Sequence, residues 1–158
     1  MMKTVIFRIS ILTTLLVLSN VSIAGVTTIE KLNFGTLAIV DNTVQSDISI
    51  SSATNQISIT NGFRVLVPGN RAEFLLTSNP NYTPVYTTAT VLVAETTSLT
   101  PPSEQFTLIN VESTPSATTD GTGLATIYVG GTLRSSGSGT GQYFDATYTA
   151  TYKLDINF

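Results

Sequence analysis

Strict alternation of apolar and polar residues over the last thirteen positions limits what this chain can fold into. Every even position from Ala146 to Phe158 is apolar, and every odd position from Thr147 to Asn157 is polar. A period of two places the two sets on opposite faces of an extended strand, whereas a helix needs a period of 3.6. The segment therefore predicts a long β-strand with one apolar face and one solvated face.

Shorter alternating runs fill most of the chain before this strand. Turn-forming residues separate the runs, among them Asn61-Gly62 and Pro68-Gly69. Asn-Gly between two alternating runs is a strong β-hairpin signal, because both turn positions favour positive φ. No run after Gly25 shows helical spacing. Turns every eight to twelve residues predict an all-β fold, an antiparallel, immunoglobulin-like β-sandwich of about nine strands.

Four aromatic and three glycine residues are expected to matter most for this fold. The aromatic residues should supply core area, since each buries a large apolar surface. The glycines should permit a bulge or a close approach of two backbones. These residues are Phe34, Phe74, Tyr148 and Tyr152, with Gly35, Gly130 and Gly131.

Residues 1–24 have the layout of a secretory signal peptide: a positive region, an apolar run and a small-residue cleavage site. These parts are Lys3 with Arg8, Ile9–Leu18, and Ser22 with Ala24. The ten-residue run is shorter than the roughly 20 residues that span a bilayer. We therefore expect a signal peptide at 1–24 and a single domain at 25–158. The cleaved protein would be exported to the periplasm, the cell surface or the extracellular space, without a transmembrane anchor.

The chain has no cysteine, no histidine and no tryptophan. This composition excludes disulfides, zinc sites with the usual nitrogen and sulfur ligands, thiolate nucleophiles and Ser-His-Asp triads. Without residues 1–24, five basic and ten acidic side chains remain, a net charge of −5. A nucleic-acid partner would require a basic surface. We expect no enzyme activity, no cofactor and no nucleic-acid partner.

The few patterns that suggest chemistry have simpler explanations. The glycine cluster at 137–141 resembles a phosphate loop, but a strand follows it where a phosphate loop requires a helix. Asp120 offers a single carboxylate in a turn, far short of a calcium shell. Lys31 and Lys153 lie on polar faces, whereas an isopeptide bond needs a buried lysine. We assign no catalytic, cofactor-binding or metal-binding residue, and the ligand-binding residues remain unknown.

The final strand has two further interpretations. It is long enough for an outer-membrane barrel strand, which takes about 9–11 residues, but the other runs are shorter. It also suits a pilin-like C-terminal strand, with which an assembly partner can pair by edge addition. The simplest interpretation is the last core strand of a sandwich.

Five motifs carry a resemblance to a known family. They are LNFG at 32–35, RAEF at 71–74 with NYTPVY at 81–86, DGTG at 120–123, YVGGTL at 128–133 and GQYFDATYTATY at 141–152. In this order and spacing, over about 29–152, the chain resembles the secreted bacterial family called domain of unknown function 4402. The resemblance implies an exported immunoglobulin-like sandwich, fimbrial-subunit-like, without known enzyme activity. The chain departs from the family at Phe144-Asp145, where a glycine is usual. It also departs in its short segment before LNFG, which weakens donation of an N-terminal strand to a neighbouring subunit.

We therefore expect a non-enzymatic surface or periplasmic protein, a fimbrial-like structural or adhesive subunit that acts through protein contacts. Self-assembly by strand-edge contacts is one form that such contacts can take. The alternative is a secreted module that binds a carbohydrate or a small ligand, with Tyr82, Tyr86 and Tyr143 as aromatic platforms. A hydrolase that uses two carboxylates alone is a third possibility.

Overall fold

A computed structural model describes residues 25–98, 104–139 and 143–158. The expected signal peptide, residues 1–24, lies outside the described residues. Every regular element in the described ranges is a β-strand, and every strand pair is antiparallel. The strands are β1 (Gly25–Glu30), β2 (Asn33–Ile39), β3 (Asp47–Ile50), β4 (Ile57–Ile59), β5 (Phe63–Asn70), β6 (Ala72–Thr77), β7 (Pro84–Ser98), β8 (Thr107–Ser113), β9 (Ser116–Thr118), β10 (Ala125–Arg134) and β11 (Tyr148–Asn157). The predicted all-β sandwich class is confirmed. The structure has two more strands than expected, since β1 and β9 formed no alternating run in the sequence.

Strand β10 is the centre of the larger sheet, which runs in the order β1-β6-β10-β8-β7-β11. One edge of β10 pairs with β8, while the other pairs first with β6 and then with β3. Gly130 lies where β10 changes from β6 to β3. A Cβ atom at Gly130 would lie 2.1 Å from the carbonyl oxygen of Ile50. The predicted role of this glycine, a close approach of two backbones, is confirmed.

Most of the buried core lies on β3, β6, β8 and β10. Its fully buried members include Ile48, Leu76 and Ile127, each with no exposed surface. Two clusters form: one centred on Ile48, Phe106 and Leu133, the other on Leu76 and Ile127. The core therefore consists mainly of aliphatic residues on the larger sheet.

The four aromatic residues expected in the core are only partly buried. Phe34, Tyr148 and Tyr152 pack against the edge of the first cluster, and Phe74 against the second. They therefore supply area at the margin of the core, whereas the fully buried positions are aliphatic. Three of them lie on strands whose inner faces are not fully covered, as the site below shows.

The Asn61-Gly62 dipeptide does not close the predicted hairpin. Asn61 has the expected positive φ of 51°, but the strands on either side pair elsewhere, β4 with β3 and β5 with β2. The chain therefore passes here from the larger sheet to the separate two-stranded sheet of β2 and β5. Gly62 is required because a Cβ atom there would lie 1.8 Å from the carbonyl oxygen of Asp41.

One predicted turn and part of one predicted loop are β-strand in the structure. The predicted turn at Pro68-Gly69 is wrong, because both residues continue β5, with Pro68 paired to Gly35 on β2. The polar segment at 113–123, expected to be a loop, contains β9, which pairs with the start of β7. In both cases, pairing with a strand distant in the sequence keeps the backbone extended at residues that show no apolar alternation.

Candidate functional site

An open cleft of about 1550 Å³ separates β2 of the small sheet from β11 of the large one. Nearly all Cα pairs between β2 and β11 lie more than 8 Å apart. Paired strands lie only about 4.8 Å apart. The two strands are therefore too far apart to pair with each other, and the space between them is open.

Each wall of the cleft is a strand with one unpaired edge. In the described residues, β2 pairs only with β5, and β11 only with β7. The end of β2 lies near the start of β11, since Asn42 Nδ2 donates to Ser136 Oγ at 3.2 Å and Ser136 N donates to Tyr143 Oη at 2.8 Å. The two strands therefore run along the cleft in opposite directions. Strand edges of this kind present backbone N–H and C=O groups that another strand can bind.

Apolar side chains from both walls form the floor of the cleft. The even positions of β11, which include Tyr148, Ala150 and Tyr152, are half-buried, while Thr149 and Thr151 are exposed on the other face. Phe34, Leu37 and Ile39 of β2 are half-buried on the opposite wall, and Phe106, Leu108 and Leu133 line the interior. The predicted alternation of the last strand is confirmed, but its apolar face lines the cleft only as far as Tyr152, whereas Leu154 and Ile156 pack against the second core cluster.

An aromatic cluster supports one end of the cleft. The ring of Phe106 stacks on Tyr143 with centroids 4.3 Å apart and meets Tyr148 edge-on at 4.9 Å. The Phe63 ring is tilted against Phe106, with centroids 6.0 Å apart. Such pairs contribute about 0.5–1.5 kcal/mol beyond their buried area. The cluster holds the start of β11 in place although no strand covers its inner edge.

A polar network closes the same end. Glu104 accepts a hydrogen bond of 2.8 Å from Asn42 Nδ2 and another from the Ser136 hydroxyl. The hydroxyl of Tyr143 accepts from Ser136 N and donates to the carbonyl of Gln105 at 3.2 Å. Burial raises the pKa of Tyr143 above its usual value. The phenol is therefore neutral at physiological pH and can both donate and accept.

The two ends of the cleft carry opposite charges. Lys31 lies just before β2, and Asp41 lies just after it. Asp145, just before β11, lies at the Asp41 end. Hydrogen bonds from Thr43 hold the pKa of Asp41 below its usual value, so its carboxylate stays ionised. Of the described ion pairs, none involves these three residues.

The tyrosines proposed as ligand platforms do not come together. Tyr143 lines the cleft, whereas Tyr82 lies in the loop before β7 and Tyr86 on β7, both outside the cleft lining. The Tyr82 side chain is 74% exposed, and its φ is 55°, an unusual value for a bulky residue. The three residues therefore form no common binding surface.

The other residues considered from sequence have structural roles. Asp120 accepts hydrogen bonds from Thr122 and Leu124 and stabilises a turn. Lys153 forms an exposed ion pair of 2.7 Å with Asp155 on the outer face of β11. The described part of the chain holds no group of three potential metal ligands, and no helix there is long and apolar enough to cross a membrane.

Comparison with known proteins connects the whole sandwich to a family. The profile of the family described as Domain of unknown function (DUF4402) matches residues 25–158. The chain belongs to this family. The match extends the resemblance found over 29–152 to both ends of the sandwich, so β1 and all of β11 are part of the DUF4402 domain. No curated protein and no solved structure matches the chain.

The sequence did not identify the cleft of this DUF4402 domain. Alternation shows which residues share a face of a strand, but not which strand, if any, lies beside it. One indirect signal was present: the longest apolar alternation belongs to β11, so this strand has the largest apolar face to be covered.

Proposed function

We propose that this protein is an exported, non-enzymatic surface or periplasmic protein that works through protein contacts, as a fimbrial-like structural or adhesive subunit. The cleft between β2 and β11 carries the proposal. It combines two unpaired strand edges with an apolar interior, which are the two features that strand addition uses.

The dimensions of the cleft favour a strand as its occupant. The seven residues of β2 extend over about 23 Å at about 3.3 Å per residue. The volume of about 1550 Å³ exceeds the roughly 300–1,000 Å³ of typical small-molecule sites. A bound strand would form backbone hydrogen bonds to both walls, each contributing about 0.5–1.5 kcal/mol. Its inward side chains would cover the half-buried residues of the cleft.

Filling the cleft provides a direct test in cells that produce the protein. The Ala150→Trp substitution places a large ring in the cleft, whereas Thr151→Trp places the same ring on the exposed face of the same strand. We expect Ala150→Trp to reduce surface appendages in electron micrographs and to reduce adhesion, while Thr151→Trp leaves both unchanged. Normal appendages and adhesion in the folded Ala150→Trp variant, and in cells without the gene, would contradict the proposal.

A second function, carbohydrate or small-ligand binding, is favoured by Tyr82 alone. Its 74% exposed ring at a loop tip offers an aromatic face, next to Asn81 and Gly121. In this alternative, Tyr82→Ala would abolish binding on a glycan array without changing the melting temperature. An array without any signal for the unmodified protein would rule this function out.

A further inference from the structure

We infer that the cleft binds an extended segment of a separate partner protein with oppositely charged ends, and that the charges of the cleft fix the direction in which the segment lies. The acidic end of the segment would lie beside Lys31, and its basic end beside Asp41 and Asp145. This inference rests on the proposed function and adds the chemistry of the partner.

The charges at the two ends act independently. Lys31 and Asp41 flank the seven residues of β2 and are therefore separated by more than about 23 Å. The Debye length at physiological ionic strength is about 8 Å, so each end interacts only with charges close to it. All three charged side chains are exposed, and no ion pair neutralises them within the described residues. A segment whose ends carry complementary charges is attracted electrostatically at both ends of the cleft. The same segment inserted backwards places like charges side by side at both ends.

The interior of the cleft favours a partner segment in which apolar and polar residues alternate. A strand between β2 and β11 would point every second side chain toward Phe106, Leu108 and Leu133. Large apolar side chains at these inward positions would cover the apolar faces of both walls. The partner segment is therefore expected to alternate apolar and polar residues over about seven positions, between a basic residue and an acidic one.

Among the described strands, β1 is the one that directly precedes the cleft wall β2, and it fits the cleft poorly. β1 pairs only with β6, and most of its side chains are exposed, so it could detach. However, Val26 and Ile29 lie on opposite faces of a regular strand, which leaves one large apolar side chain for each face. Insertion into its own cleft would need a two-residue turn at Lys31-Leu32, and this turn normally requires glycine or asparagine. β1 of a second copy needs no such turn but has the same apolar pattern, which makes a second copy a weaker occupant than a separate protein.

The test measures binding of fluorescently labelled peptides by anisotropy. The probe is the peptide KVSVSVSVE with blocked termini, and the control is SVSVSVSVS, which keeps the alternation without the charges. We expect the charged probe to bind about two- to tenfold more tightly than the control, because exposed ion pairs are individually weak. Lys31→Glu should weaken binding of the charged probe about two- to tenfold and leave the control unchanged. A probe with lysine at both ends, KVSVSVSVK, should bind the Lys31→Glu variant more tightly than the unmodified protein.

The outcomes separate this inference from the proposed function. Equal affinity for charged and uncharged peptides would overturn the fixed direction while leaving strand binding in place. Failure of every peptide to bind would count against both. Tighter binding of the peptide GVTTIEK, the sequence of β1 with Lys31, would make a second copy the occupant and overturn the choice of a separate partner.

A modified peptide distinguishes strand pairing from simple apolar contact. N-methylation of alternate amides in the charged probe removes hydrogen-bond donors without removing side chains. We expect at least a tenfold loss of affinity, and an unchanged affinity would overturn the inference. This measurement needs no protein variant, so it holds even if Ala150→Trp fails to fold.

Discussion

Gly130 provides a sharp test of how β10 organises the sandwich. In Gly130→Ala the new Cβ atom would lie 2.1 Å from the carbonyl oxygen of Ile50 and 2.5 Å from the amide nitrogen of Ser52. Both contacts are with backbone atoms, which cannot move aside without shifting the end of β3 away from β10. Overpacking of this kind lowers the free energy of unfolding by about 1–3 kcal/mol. For the 134 residues from 25 to 158, an unfolding entropy of about 2.1 cal/mol/K per residue converts this loss to a melting temperature about 4–11 °C lower.

Gly121→Ala is the matched control. The new Cβ atom would lie 2.7 Å from the Tyr82 hydroxyl, which is the far end of a 74% exposed side chain that can rotate away. We expect its stability to stay within about 0.5 kcal/mol of the unmodified protein, the range of ordinary surface substitutions. Urea and thermal unfolding followed by circular dichroism would measure both variants. Equal stabilities for Gly130→Ala and Gly121→Ala would refute the assignment of a backbone clash.

Three further predictions test the core, the polar network and an ion pair. Ile127→Ala should lower the free energy of unfolding by about 2–5 kcal/mol in urea, whereas Ile109→Ala, at a 39% exposed site, should cost much less, and equal losses would contradict the assigned core. Tyr143→Phe keeps the ring stack but loses two hydrogen bonds, so the same assay should show a loss of about 1–3 kcal/mol, and an unchanged stability would show that the network contributes nothing. The hydrogen bond from Arg134 holds the pKa of Asp47 below its usual value, so this carboxylate stabilises the fold above about pH 4 and loses that effect as the pH falls through its folded pKa. Asp47→Asn should therefore show a weaker loss of stability between pH 5 and pH 2 than the unmodified protein, and identical acid profiles would contradict this.

The sequence predicted the parts of the fold that depend on local pattern. Alternation from Ala146 onward predicted β11, and the glycine at 130 was correctly expected to allow a close backbone approach. These features are local because side-chain period and the absence of a Cβ atom act at the residue itself. The family assignment followed from motif order and was confirmed across the domain.

The features that could not be predicted from the sequence depend on pairing between distant segments. Asn61-Gly62 looked like a hairpin, but the two strands beside it found better partners in different sheets. Tyr148 and Tyr152 were expected to supply core area, but among the described strands none pairs with the free edge of β11, and both residues stay half-buried. The cleft was missed for the same reason, since it exists only where a pairing is absent.

The central position of β10 also constrains the order in which the protein can fold. β3 and β6 share β10 as a neighbour, but β10 begins only at Ala125, near the end of the chain. A growing chain therefore carries these strands without their central partner until Ala125–Arg134 has been added. Folds dominated by such long-range pairing fold in milliseconds to seconds, far more slowly than helical bundles. Under the proposed export, this delay would keep the chain unfolded, and so able to cross a membrane, until β10 and β11 follow.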